Sequence, residues 1–252
     1  DLAVTNLTTT SADYASFAAA VNTAITGRGD LSFNAGTGTL TYTGTGNPMT
    51  DLVINLGAVD DNLVEGNEAY KVVLSNPGTT TVSDISLGTS EVTTTITDND
   101  TLALSLTGDT VVAEGGAPSY TLAITSGQIP VGSTATVDLS ITLPGGLTGA
   151  EAADFIESFL KDLQDAAETG VTVGTANTVA NVTTVGLTLA STFDKSFTFT
   201  LPTFNDTLVE GSESFTVVAS NAVVSNGASA TAGGSVLTTI TDNDTLALSL
   251  TG

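Results

Sequence analysis

Through most of this chain apolar and polar positions alternate with a period of two. Thr39-Leu40-Thr41-Tyr42-Thr43, Asp51-Leu52-Val53-Ile54-Asn55-Leu56 and Tyr70-Lys71-Val72-Val73-Leu74 read as strands, as do the residues leading to Ile96. Farther on, Val185-Gly186-Leu187-Thr188-Leu189, Ser196-Phe197-Thr198-Phe199-Thr200-Leu201 and Phe215-Thr216-Val217-Val218-Ala219 repeat the pattern, followed by residues leading to Ile240. Short alternating runs between turn signals predict Greek-key sandwiches of about seven strands rather than a parallel sheet.

Two stretches break the alternation with a helical period. Tyr14, Phe17, Ala18, Val21, Ala24 and Ile25 share one face of a helix predicted over about 11–26 and stopped by Gly27. A second helix is predicted over about 149–168, with Thr148 and Glu151 as a capping box and Gly170 as its stop. Phe155, Ile156, Phe159, Leu160, Leu163 and Ala167 form its apolar stripe, while Glu157, Lys161, Asp162 and Asp165 are expected to face water. Such a helix is expected to cover one sheet face, with partner binding as the alternative.

The alternation is itself repeated. Thr95–Gly108 recurs residue for residue as Thr239–Gly252, a period of 144 residues. Asp1-Leu2-Ala3-Val4-Thr5 matches Asp138-Leu139-Ser140-Ile141-Thr142, so the chain is expected to enter its first repeat about a quarter of the way in. The predicted organisation is a partial sandwich over 1–100, a complete one over 101–244, and the first strand of a following repeat over 245–252. No linker separates Asp100 from Leu102, so adjacent repeats are expected to meet at a nearly fixed angle.

Composition narrows the chemistry. The 252 residues carry 27 acidic side chains against four basic ones, a net charge of −23, which argues against nucleic acid and anionic membranes as partners. Without cysteine or histidine, disulfides, thiolate catalysis, imidazole catalysis and zinc fingers are excluded. No run of eighteen apolar residues predicts a membrane span.

The acids are not evenly spread. Asp60-Asp61-Asn62-Leu63-Val64-Glu65-Gly66-Asn67-Glu68 precedes a strand whose partner ends on Asp98-Asn99-Asp100. Downstream, Asn205-Asp206-Thr207-Leu208-Val209-Glu210-Gly211-Ser212-Glu213 is followed in the same way by Asp242-Asn243-Asp244. Asp61, Glu65 and Glu68 thus return at unchanged spacing as Asp206, Glu210 and Glu213, although the sequence around them has drifted. Glu114 adds another acid in Val111-Val112-Ala113-Glu114-Gly115-Gly116. Carboxylates gathered this densely repel one another, and an all-oxygen donor set suits a hard cation, with calcium favoured over magnesium in flexible loops. Neither the EF-hand pattern nor the glycine-rich nonapeptide is present.

These motifs resemble the Calx-beta domain, a calcium-binding sandwich of sodium/calcium exchangers and of giant bacterial surface proteins. The resemblance covers both sandwich cores but not the helical insertion, and implies an all-β fold of tandem immunoglobulin-like sandwiches. It also implies Ca2+ ligands at Asp60, Asp61, Glu65, Glu68, Asp98 and Asp100 in the first copy. In the second copy the implied ligands are Glu114, Asp206, Glu210, Glu213, Asp242 and Asp244, with the carbonyls of Leu63 and Leu208 as additions. Asn99 and Asn243 stand where the family's central acid falls, and Asn205 replaces the first acid of its loop, which implies fewer ions per site.

Repeats without linkers or cysteine further resemble the extender region of bacterial surface adhesins of the repeats-in-toxin type. The function implied is a calcium-stabilised extracellular rod that supports cell adhesion or biofilm formation, with neighbouring repeats of the same chain as partners. Alternatives are a carbohydrate- or surface-binding module, and a subunit of an extracellular filament of identical chains. Enzymatic activity is not expected: no histidine can activate a serine, no phosphate-cradling glycine loop occurs, and aromatic subsite residues are scarce.

Overall fold

The computed structural model describes residues 1–81, 85–146 and 148–250. The described residues are mostly β with two short α-helices, and the chain forms two compact units. The smaller unit comprises Asp1–Asp61 and Asn67–Asp98; the larger comprises Asn62–Gly66 and Asn99–Gly252.

In the smaller unit, β1 (Leu2–Asn6), β4 (Glu68–Leu74) and β5 (Glu91–Ile96) make an antiparallel sheet in the order β1-β4-β5. Between β1 and β4 the chain forms α1 (Phe17–Ala24) and a hairpin of β2 (Leu31–Asn34) and β3 (Thr39–Tyr42). Helix α1 starts later than its apolar period predicts. Ser16 caps it by accepting from the Ala19 N–H at 3.3 Å, while Tyr14 bridges to Ala58 and tilts its ring 5.0 Å from Tyr70.

The predicted strand over 51–56 does not form. Its counterpart in the larger unit, β12 (Ser196–Thr200), pairs with β8 (Ser119–Ser126), whereas among the described residues of the smaller unit no strand pairs with 51–56. A strand with alternating side chains still needs a ladder partner for its N–H and C=O groups. This unit is therefore one sheet with a hairpin rather than two facing sheets.

The larger unit is a complete sandwich. One sheet runs β10 (Val171–Val179), β11 (Val182–Ala190), β9 (Thr134–Thr142), β13 (Glu213–Val224), β15 (Ser235–Thr241), β7 (Val111–Ala113). The other runs β12 (Ser196–Thr200), β8 (Ser119–Ser126), β6 (Leu102–Gly108), β14 (Ala230–Gly233). These ten strands exceed the seven or so expected, and two of them, the short strands β7 and β14, each add a parallel edge.

Inward-facing residues of both sheets make one core. Leu102, Leu104 and Leu106 alternate into it from β6, and Val185, Leu187 and Leu189 from β11. The Tyr120 ring lies between Phe199, at 5.3 Å, and Phe215 of the opposite sheet, at 6.4 Å. Its hydroxyl shares a 2.6 Å hydrogen bond with Thr238, whose own hydroxyl reaches the Asp109 carbonyl. Gly108 makes room for this ring, since a Cβ there would lie 2.3 Å from Tyr120 Cδ1.

The helical insertion differs from its prediction in onset and in placement. Residues 149–158 hold only a single 3-10 turn, Ala152–Asp154, and the α-helix proper is α2 (Phe159–Ala166), capped by Ser158. Phe155 is extended because it bridges to Thr203 and meets Phe215 edge-on at 5.0 Å. Helix α2 packs against β12 and β10, the outer strands of the two sheets. It closes the open side of the sandwich instead of covering a face.

Asp162 is a second correction. Expected to face water, it is 7% exposed, and its Oδ2 is buried without a hydrogen-bond partner among the described residues. Burial, with Glu157 and Asp165 nearby, pushes its pKa up to about 6.

After Thr241 the described residues 245–250 form no strand, and Leu246, Leu248 and Leu250 are exposed. Thr251 and Gly252, which complete the strand expected over 245–252, lie outside the described residues. No helix among the described residues is long and apolar enough to cross a membrane.

Candidate metal centre

Strand register brings the acids of the second copy to one end of the sandwich. Glu213 opens β13 opposite Ile240, two residues before Asp242. On the other side of β15, β7 runs parallel with Thr241 opposite Ala113, and the Glu114 N–H donates to the Thr241 carbonyl at 3.0 Å. The next N–H, of Gly115, reaches the Phe204 carbonyl at 3.2 Å and so ties this hairpin to the acidic loop.

Within the loop the carboxylates have distinct duties. Asp242 is an organiser: Oδ2 accepts from the N–H groups of Glu210 and Gly211 at 3.0 and 3.2 Å, and Oδ1 from Asp244 at 2.8 Å. Those N–H groups, Asp244's first, hold the Asp242 carboxyl below the usual range. Asp206 accepts from the Leu208 N–H at 2.6 Å and donates its own N–H to Glu114 Oε1 at 3.1 Å. Asn243 donates to the Glu114 carbonyl at 3.1 Å and to Asn205 Oδ1 at 2.7 Å, so here the triplet's central position clamps the hairpin.

Glu114, Asp206 and Asp244 converge, each with a carboxylate oxygen within 4.8 Å of the others. Glu114 Oε2 and Asp244 Oδ2 are buried without a hydrogen-bond partner among the described residues. At an effective dielectric constant of 20, two ionised carboxylates at that separation repel by about 3.5 kcal/mol. A buried acceptor without a donor costs a further 1–3 kcal/mol or so. One hard cation answers both, because it needs oxygen ligands and opposes their charge.

Glu210, Glu213 and Asp242 line a cleft of about 700 Å³ together with Glu114 and Asp206. Two further acids border it: Glu151, which the sequence places only in a capping box with Thr148, and Asp154, which no sequence motif singles out. Glu151 and Asp154 form a capping box with each other on the 3-10 turn, in place of the Thr148–Glu151 box expected at the start of the helix. Backbone bonds from Ala150 to the Ser214 carbonyl and from Phe204 to the Asp154 carbonyl, at 3.0 and 2.7 Å, fasten that turn beside the loop. Burial, then a side-chain hydrogen bond with Asp154 and the charges around it, raises the Glu213 pKa to about 7. Glu210 is raised by burial and by its acidic neighbours, Asp206 foremost.

The first-copy candidates divide between the two units. Asp60, Asp61, Glu68 and Asp98 belong to the smaller one; Leu63, Glu65, Asn99 and Asp100 belong to the larger. Within the smaller unit the second copy's register returns, with Glu68 opposite Ile96 and the Asp98 N–H donating to Asn67 Oδ1 at 3.2 Å.

Compared with known proteins, the chain matches no family model and no curated sequence.

Proposed function

We propose that this chain is part of a calcium-stabilised spacer, in which tandem sandwich repeats of an extracellular surface protein hold an adhesive region away from the cell. The observation that carries the reading is the pair of partnerless buried oxygens, Glu114 Oε2 and Asp244 Oδ2, converging with Asp206. The donor set is entirely oxygen, the geometry belongs to loops that can adapt, and no basic side chain lines the cleft. Those properties suit six- to eight-coordinate calcium better than octahedral magnesium.

In this account Glu114 and Asp206 contribute ligands from the hairpin and the acidic loop, and Asp244 from the end of the last strand. Glu210, Glu213 and the carbonyl of Leu208 complete the sphere, and Asp242 positions the loop through its three backbone bonds. Cross-linking these segments at the end of each repeat would stiffen an array that has no flexible linker. An extracellular setting supplies calcium near the 10⁻⁴ to 10⁻³ M or so at which such modules bind.

Calcium titration by calorimetry, on the whole chain and on Glu114→Gln and Asp244→Asn, tests the assignment. Binding that both substitutions weaken supports it. Binding that both leave unchanged refutes it.

A further inference from the structure

The segment Leu63-Val64 has a counterpart in Leu208-Val209, each following an Asp and preceding a Glu-Gly at the same spacing. Their surroundings are opposite. Val64 is 0% exposed and belongs to the core of the larger unit, whereas Leu208 and Val209 are 57% and 56% exposed.

A built socket receives the first of the pair. The Val64 N–H donates to the Gln128 carbonyl at 3.0 Å, Leu63 bridges to Gln128 in parallel, and Asn226 Nδ2 donates to the Val64 carbonyl at 2.8 Å. Gly127, at φ +75°, forms the floor: a Cβ there would fall 2.7 Å from Val64 Cγ2 and 2.8 Å from the Thr101 carbonyl. Both backbone groups of Val64 are thus satisfied and its side chain fills a space that only a glycine leaves open. The socket's rim includes the start of β6, where the Leu102 N–H donates to the Ser229 carbonyl at 3.0 Å.

That rim has its own duplicate. Thr245–Leu250 repeats Thr101–Leu106, yet Leu246, Leu248 and Leu250 are 75%, 88% and 101% exposed, whereas Leu102, Leu104 and Leu106 are buried. A plug without a socket and a rim strand without its sheet lie one period beyond a plug, socket and sheet that are complete.

We propose that Leu208-Val209 is an interaction surface for a further copy of the same repeat, in which Val209 docks between the residues corresponding to Gly127, Gln128 and Asn226. The joint is apolar and backbone-bonded, and it holds without metal. It rests on the tandem-array reading of the chain, but not on the calcium reading.

Its test is a chain in which residues 1–252 are followed by a second copy of residues 109–244, so that the period continues. Hydrogen exchange is followed for the peptide covering Leu208 to Glu210, in EDTA and in calcium. That peptide should exchange freely in the 252-residue chain. In the extended chain it should become as protected as the peptide around Val64, in both solutions. Val209→Ser, which adds no charge to the acidic loop, should leave the melting of the 252-residue chain unchanged and lower the melting temperature of the added repeat by about 5 °C or more. Equal and fast exchange of the peptide in both chains overturns the proposal. Protection that appears only in calcium overturns the metal-free joint while leaving the calcium reading standing, and protection in EDTA without calcium binding does the reverse.

Discussion

Replacing Asp162 by asparagine removes a charge that the fold holds at a cost. The residue is 7% exposed, its Oδ2 has no partner among the described residues, and its pKa rises from the ordinary 3.8 to about 6. Burial is the first cause and the Glu157 and Asp165 charges add to it, while Lys161 opposes them. Because the folded-state pKa is the higher, the folded state binds more protons between the two values, so stability falls as pH rises from about 4 to about 6. A rise from 3.8 to about 6 is worth at most about 3 kcal/mol, and solvent screening of the neighbouring charges reduces this to about 1–2 kcal/mol. Asp162→Asn should therefore gain about that much stability above pH 6 or so and nothing at about pH 2.5, well below both values, where the aspartate is neutral in both states. Urea unfolding of both proteins at the two pH values, in EDTA, measures the difference directly. A gain of the same size at both, or a loss at the higher pH, would refute the account of Asp162 as a strained buried charge.

Other consequences follow from the same reasoning. In EDTA, Glu213, raised to about 7, should make the larger unit less stable as pH climbs from about 4.5 to 7; Glu213→Gln should flatten that slope in thermal melts. Val64→Ala should cost about 1–3 kcal/mol in chemical unfolding, whereas Val209→Ala should stay within about 0.5 kcal/mol, since only the first is buried. Gly108→Ala should lower the melting temperature of the larger unit by several degrees, about 2–4 °C for each kcal/mol lost, because its Cβ meets the Tyr120 ring that bridges the two sheets.

Much of this architecture is written in local pattern. Strands such as 185–189, 196–201 and 215–219 are visible because alternation is a one-dimensional signal of a half-buried ladder. The acidic loop and terminal triplet are visible because the repeat preserves their spacing, and the shared register of Glu68 with Ile96 and Glu213 with Ile240 explains what that spacing serves. What the pattern hides is pairing. Residues 51–56 alternate like a strand, but no strand among the described residues bonds them as β8 bonds β12. Phe155 and Ile156 extend the helical stripe, yet the bridge from Phe155 to Thr203 draws the chain out straight and delays α2 to Phe159. Asp162 counts as polar on a helical wheel, but the helix sits between two sheet edges and buries more than one face. Glu151 and Asp154 reach the cleft through backbone bonds to Ser214 and Phe204 that no linear motif announces; their nearest sequence signal is the E-x-x-D of a capping box.

The most direct measurement is the thermal stability of the larger unit in EDTA and in calcium at about a hundred times its dissociation constant. If calcium sits among Glu114, Asp206 and Asp244, that concentration adds about 2.7 kcal/mol, or about 5–11 °C, and Glu114→Gln with Asp244→Asn abolishes the gain. A melting temperature identical in EDTA and in calcium would contradict the metal centre.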